Sequence, residues 1–325
     1  MIQSLMSLSV CLIVLNSGIA FASDEVSNSS VSGGEVSGKT TYNPGGIDGI
    51  LGNRKFEDTR TLTDPALRTS DGSLSRFSFK GSFGYSGPTF ADLSAQNQPN
   101  PDGTAGNYAQ RMTGNATANY RLDATHNQSA GTGITLNYPF AGTNQYSTNN
   151  PFVGYSFANR YDNLQMRNSA QLIQATIPNY TAIGERAGVS WFNGLVYQFT
   201  ATKLALSLDS TAYYWMFSRG YQATDGFANK RPQTVQQYTI GTQPGLKYLI
   251  SDNMNIYTNA SFQWFNPRGQ SGDQAVLWNR SVSTALGFGW AYSRDIYISP
   301  YLISYPNNMQ ADQTTINLST TFSLL

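Results

Sequence analysis

Side chains able to do acid–base chemistry are scarce in this chain, and its single histidine, His126, is the natural starting point. It stands in Asp123-Ala124-Thr125-His126-Asn127-Gln128-Ser129. An imidazole beside Ser129 or Asp123 could take and return a proton near neutral pH, as a hydrolase requires. The same stretch also reads as a polar turn, because apolar alternation stops on either side and Asp and Asn suit turns. The turn is the reading that the neighbouring residues favour. Metal sites need clustered His, Cys or carboxylates. Here the acids are scattered, and Asp24-Glu25 and Glu57-Asp58 are the only adjacent pairs. Gly131-Thr132-Gly133 is too short for a phosphate-binding loop. The one cysteine, Cys11, lies near the N-terminus, so the rest of the chain has no thiolate ligand, thiol nucleophile or disulfide. No cofactor and no catalytic function are expected.

The elements that carry these residues leave a clear mark on composition. Charged residues make up 12% of the 325 residues, with a net charge of +1. Soluble domains carry about a quarter. The mean hydropathy of -0.34 nevertheless excludes a chain made of apolar helices. Tyr (20), Phe (17), Trp (5) and Gly (30) are abundant, a mixture that suits many strands with one wet and one apolar face. The near-neutral charge gives no reason to expect nucleic acid as a partner.

Residues 1–22 read as a signal peptide. Residues 5–15 are mostly apolar but too short to span a bilayer, which takes about 20 residues. Ala20-Phe21-Ala22 then supplies a small-x-small cleavage site. The first four residues carry no Lys or Arg, and a short N-terminal anchor is the competing reading. Residues 23–73 are expected to form a flexible periplasmic extension or a plug segment. Within them, Asp64-Pro65-Ala66-Leu67-Arg68 can start a helical turn, since proline is tolerated just inside a helix start.

From residue 74 the period becomes two. Phe77, Phe79, Phe83 and Tyr85 alternate with Arg76, Ser78, Lys80 and Ser82, and similar runs recur to Ile316, Leu318, Phe322 and Leu324. Eleven strands are recognisable. Single-chain bacterial barrels have an even number, so a twelfth is expected at Val153-Gly154-Tyr155-Ser156-Phe157, with ten and fourteen as neighbouring counts. Short connections alternate with long polar ones after about Lys203.

Several strands reach ten residues or more, as a tilted crossing of a bilayer needs. Aromatic residues gather near strand ends, as in Tyr213-Tyr214-Trp215-Met216-Phe217, Trp264-Phe265 and Trp290-Ala291-Tyr292. Membrane interfaces favour such rings. With its final strand at the C-terminus, the region 74–325 resembles bacterial outer-membrane β-barrel proteins of the porin-like kind. The family's last residue is usually aromatic, whereas this chain ends Phe322-Ser323-Leu324-Leu325. The resemblance implies an all-β, transmembrane, antiparallel up-and-down barrel in the bacterial outer membrane. Lipid would surround it, and its apolar exterior could also hold a homo-oligomer contact.

If the apolar face meets lipid, the other lines a lumen. On that face the alternation places Arg76, Lys80, Arg111, Arg121, Arg167, Arg186 and Lys247, with Asp123 and Asp209 as acids. A basic wall concentrates anions, unless these groups instead pair with acids from elsewhere in the chain. About eight strands leave a filled interior, and 16 to 18 an open channel. The expected function is therefore a narrow, weakly anion-selective channel for passive diffusion of small hydrophilic solutes or ions. The alternative is a non-conducting structural or surface-interaction barrel acting through long loops at 88–107, 141–150 and 219–233.

Overall fold

Runs of alternating side chains pair edge to edge until the last strand meets the first. The computed structural model describes residues 56, 62–95, 97–98, 108–140, 145–182, 184–218, 236–251, 253–267 and 278–324. The expected signal peptide and leader, and the loop at 219–233, lie outside them. The barrel strands are β1 (Phe77–Thr89), β2 (Arg111–Arg121), β3 (His126–Asn137), β4 (Phe152–Tyr161, with Gln145–Thr148 as a short first piece), β5 (Leu164–Gln174) and β6 (Glu185–Gln198). They continue as β7 (Leu204–Phe217), β8 (Gln236–Ser251), β9 (Met254–Pro267), β10 (Trp278–Ser293), β11 (Ile296–Ser304) and β12 (Thr315–Leu324).

Every strand pairs antiparallel with its neighbours in sequence, and β12 pairs with β1 from Phe79↔Leu324 to Thr89↔Thr315, which closes the ring. The result is an all-β, up-and-down, twelve-stranded barrel. The twelfth strand stands where the even-number rule placed it, with Val153 to Phe157 inside β4. That strand is interrupted because Pro151 has no N–H to donate. Asn149 bridges the gap, its backbone N–H donating to Gly133 O at 2.8 Å and its side chain to Asn115 Oδ1 at 3.0 Å. Connections are short at one end of the barrel and long at the other, and β1 begins and β12 ends at the short-turn end.

The exterior is the apolar face. Leu206, Leu208, Ile240, Leu246, Ile256 and Leu286 all point outward, Leu208 at 39% and Leu286 at 55% exposed. A continuous apolar band of this kind is costly in water and favourable in hydrocarbon. β8 and β10 are each 16 residues long, beyond the roughly 9–11 that a tilted crossing requires. An arginine at Leu208 is therefore expected to destabilise the refolded barrel in lipid vesicles by about 2–4 kcal/mol. Lysine at Ser82, on the inner wall, should cost far less. Equal losses in urea titrations of the two variants would overturn the inside–outside assignment.

Side chains on the inner wall are mostly small and polar, with Ser78, Thr117, Asn255, Ser299 and Ser319 all buried. The buried apolar clusters form where a segment ahead of β1 enters the lumen. Its helix α1 (Pro65–Asp71) begins as the local sequence demands. The Asp64 carboxylate accepts from Leu67 N at 2.9 Å, Pro65 holds the first helical position, and Gly72 ends the helix at φ +91°. Leu62 and Leu67 meet Ala158, Val196 and Ala205, while Ala66 meets Ala291 and Tyr297. The sequence prepares one helical turn here, and the lumen extends it to two by burying Ala66 and Leu67.

Candidate solute pathway

At the short-turn end, α1 is fixed to the wall mainly by charge. The Asp71 carboxylate takes Arg121 of β2 at 2.6 Å and lies 3.6 Å from Arg167 Nε of β5. Arg121 is almost fully buried, at 1% exposure, and also donates to the carbonyls of Ser73 and Asp71. Asp64 binds Lys247 of β8 at 3.2 Å. Gln165 Oε1 accepts from the backbone N–H groups of Thr63 and Asp64 at 2.8 and 2.7 Å. Lys80 of β1 donates to Ser70 O at 2.6 Å, and Arg68 Nε to Arg294 O at 3.1 Å. Buried charges are tolerable when paired and hydrogen-bonded, and here each partner comes from a different element.

Above α1 the lumen widens into a cavity of about 200 Å³ that is open at its mouth. Ser70, Lys80 and Arg167 form its floor, and it extends to Glu185 and the short helix α2 (Pro178–Thr181) at the long-loop end. The two sides differ. On β1 to β3 the wall is hydroxyl and amide, with Ser82, Thr113, Asn115 and Thr135. On β5 to β7 it is aromatic and aliphatic, with Ile173, Phe192, Tyr213 and Trp215. Trp215 lies flat against β6 because Gly188 has no side chain, and a Cβ there would come within 2.5 Å of the indole.

The residues expected to line the lumen divide into separate groups. Lys80, Arg121, Arg167, Lys247 and Asp209 stand on the inner wall around α1, and Arg111 is buried at the long-loop end of β2. Arg76 lies elsewhere. It precedes β1 and folds over Tyr120, donating to its hydroxyl at 2.7 Å with the guanidinium 5.3 Å from the ring. Arg186 is exposed, because the β6–β7 ladder slips between Met216↔Ala187 and Phe217↔Glu185. This bulge resets the alternation, so Glu185 faces inward and Arg186 does not. Asp123 is a turn residue outside the wall. The aromatic run Tyr213 to Phe217 also splits: Tyr213 and Trp215 are buried inside, while Tyr214 and Met216 are exposed outside.

His126 pairs with Asp123 at 2.8 Å in the β2–β3 turn, against Phe157 at 5.0 Å. Ser129, three positions along β3, has the opposite parity and points to the other face. Asp123 Oδ1 accepts from Thr125 N, Thr125 Oγ1 and His126 N, at 2.7, 2.9 and 2.9 Å. Partial burial pushes this carboxyl upward, but the bonds from Thr125 and His126 outweigh it and hold the carboxyl at about 2. A depressed folded value means that the turn is stabilised above the unfolded value near 4 and loses that stabilisation as pH falls through about 2. The group is largely exposed, so Asp123→Asn is expected to lower stability by under about 1 kcal/mol at pH 7. The two proteins should converge in urea midpoint as pH drops towards 2.

The acids that anchor α1, the mouth carboxylate Glu185 and the inward pair Tyr213 and Trp215 were not distinguished by sequence pattern. The helix start at Asp64-Pro65 was legible, but the Asp64 partner Lys247 lies 183 positions away. Among the described residues no three His, Cys, Asp or Glu side chains gather as a metal site.

No family model matches this sequence, and no curated protein is similar to it. Several solved barrels are similar in outline. An outer-membrane channel from Pseudomonas putida F1 is 10% identical over 78% of this chain and 98% of its own, with a TM-score of 0.49. The NanC porin is 9% identical over 76% and 100%, at 0.41. The toluene transporter TodX of P. putida is 9% identical over 80% and 91%, at 0.38. The fold assignment stands on the closed ladder itself. By that ladder, apolar outside and polar within, the chain is a β-barrel of the outer-membrane type.

Proposed function

We propose that the protein is an outer-membrane channel for small hydrophilic solutes, stoppered from the short-turn side by its own α1. The observation that carries this reading is the cavity of about 200 Å³ inside a closed barrel, polar on one wall and aromatic on the other, floored by a helix that is not part of the wall. Short turns conventionally face the periplasm and long loops the outside, so solute would enter at the loops and meet α1 before the periplasm. The weak anion preference expected from the basic wall is latent here. Asp71 and Asp64 neutralise much of that charge, and it would face solute only when α1 moves aside.

The test is conductance of the refolded full chain in a planar bilayer under a salt gradient, compared with the Asp64→Ala/Asp71→Ala double variant. Unitary steps, larger and more anion-selective in the variant, are the expected result. Correctly folded, heat-modifiable protein that inserts without steps in both forms would overturn the channel. The second reading, a barrel acting through its loops, is favoured by α1 occupying the lumen, and it would then take the lead.

A further inference from the structure

The long-loop mouth of the cavity carries a carboxylate and an indole that the stopper does not use. Glu185 is 3% exposed and Trp215 is 2% exposed. Glu185 Oε1 and Trp215 Nε1 are both buried, and among the described residues neither has a hydrogen-bond partner. Both line the cavity, as do Tyr213 and Phe192. A buried carboxylate oxygen and a buried N–H without partners are each costly, and here they share one concave aromatic surface.

The backbone shows how Glu185 comes to be there. Strict alternation would group it with Val189 and Trp191, which point outward and are 39% and 44% exposed. The slip in the β6–β7 ladder at Arg186 turns it inward instead. Bulges re-aim side chains in this way beside functional sites. The indole of Trp215 occupies the space that a side chain at Gly188 would need, three positions along the same strand from Glu185.

We infer that this mouth is a binding site for a small organic cation whose ammonium group lies near a hydroxyl, with an amino sugar as the representative class. The ammonium donates to Glu185 and gains from the adjacent aromatic faces. A ligand hydroxyl accepts from the indole N–H, and the apolar face of a sugar ring lies on Tyr213 or Phe192. Lys80 and Arg167 at the floor repel the cation, which confines it to the mouth. The inference rests on the channel reading only for the route by which solute arrives.

The test is a calorimetric titration of the refolded full chain in micelles with glucosamine, N-acetylglucosamine and glucose. Saturable binding of glucosamine is expected, with the two neutral sugars weaker by about tenfold or more. Glu185→Gln should reduce glucosamine to the level of the neutral sugars while leaving heat-modifiable mobility unchanged. Trp215→Phe keeps a ring and removes the N–H. It should weaken glucosamine more than cyclohexylammonium, which has no hydroxyl to lose a bond. Equal binding of all three sugars, no saturable heat with glucosamine, or full binding by Glu185→Gln would each overturn the site. A barrel that conducts without binding sinks this inference alone, and one that binds without conducting sinks only the channel.

Discussion

Asp71→Ala is expected to convert a mostly closed lumen into an open, anion-preferring one, seen as several-fold larger unitary conductance and a shifted reversal potential. Asp71 faces two guanidiniums, Arg121 at 2.6 Å and Arg167 at 3.6 Å, and is itself 5% exposed. Removing one member of a buried ion pair typically costs about 3–5 kcal/mol, because the remaining charge is left without compensation. In a conventional core that loss would unfold the protein. Here β2 and β5 are each held by two neighbouring strands, so the inexpensive escape is for α1 to leave and water to reach Arg121. The two freed guanidiniums then face the pathway and supply the anion preference. Asp71→Asn keeps the shape and should give an intermediate phenotype. Unchanged conductance and selectivity in Asp71→Ala, with the barrel folded, would mean that α1 is not what restricts passage.

The second large effect concerns closure. Ending the chain at Thr314 should abolish the heat-modifiable barrel altogether, rather than yield an eleven-stranded one. β12 pairs with β1 on one side and β11 on the other. Its loss would leave two unpaired edges in hydrocarbon, where each orphaned backbone group costs several kcal/mol. Phe322 strengthens the seam by covering Gly81, whose missing side chain leaves room for the ring. Phe322→Ala is expected to weaken the barrel without preventing assembly. Detection of a folded, protease-resistant product from the truncated chain would refute the view that closure is all-or-none.

Much of the barrel could be read from side-chain alternation, and the exceptions have physical causes. β7 to β10 and β12 carry bulky outward residues at nearly every second position, so the period is plain, whereas in β11 Tyr297, Tyr301 and Ile303 make the second face apolar too and the register is ambiguous. In β3 the period fades because Gly131 and Gly133 contribute no side chain, and in β4 because Pro151 interrupts pairing. The even-number rule, not local pattern, located β4. The pathway was less legible. Alternation assigned Arg186 to the lumen, and a single slipped residue reversed it with Glu185. It assigned Arg76 inward as well, but a residue just ahead of a strand is free to fold over a neighbouring ring. Basic residues within the wall were identifiable, yet their partners were not. Complementarity between Asp64 and Lys247, or Asp71 and Arg121, exists only once the strands have closed around α1.

The short tether of α1 has a kinetic consequence. Only residues 72–76 separate the end of α1 from the start of β1, a span of roughly 20 Å when fully extended. A released helix therefore cannot diffuse away, and its local concentration at the wall stays in the millimolar range. Rebinding is a first-order event, independent of protein concentration. The open state should accordingly appear as brief bursts whose frequency reports release and whose duration reports recapture. A longer tether would extend the bursts without changing their height.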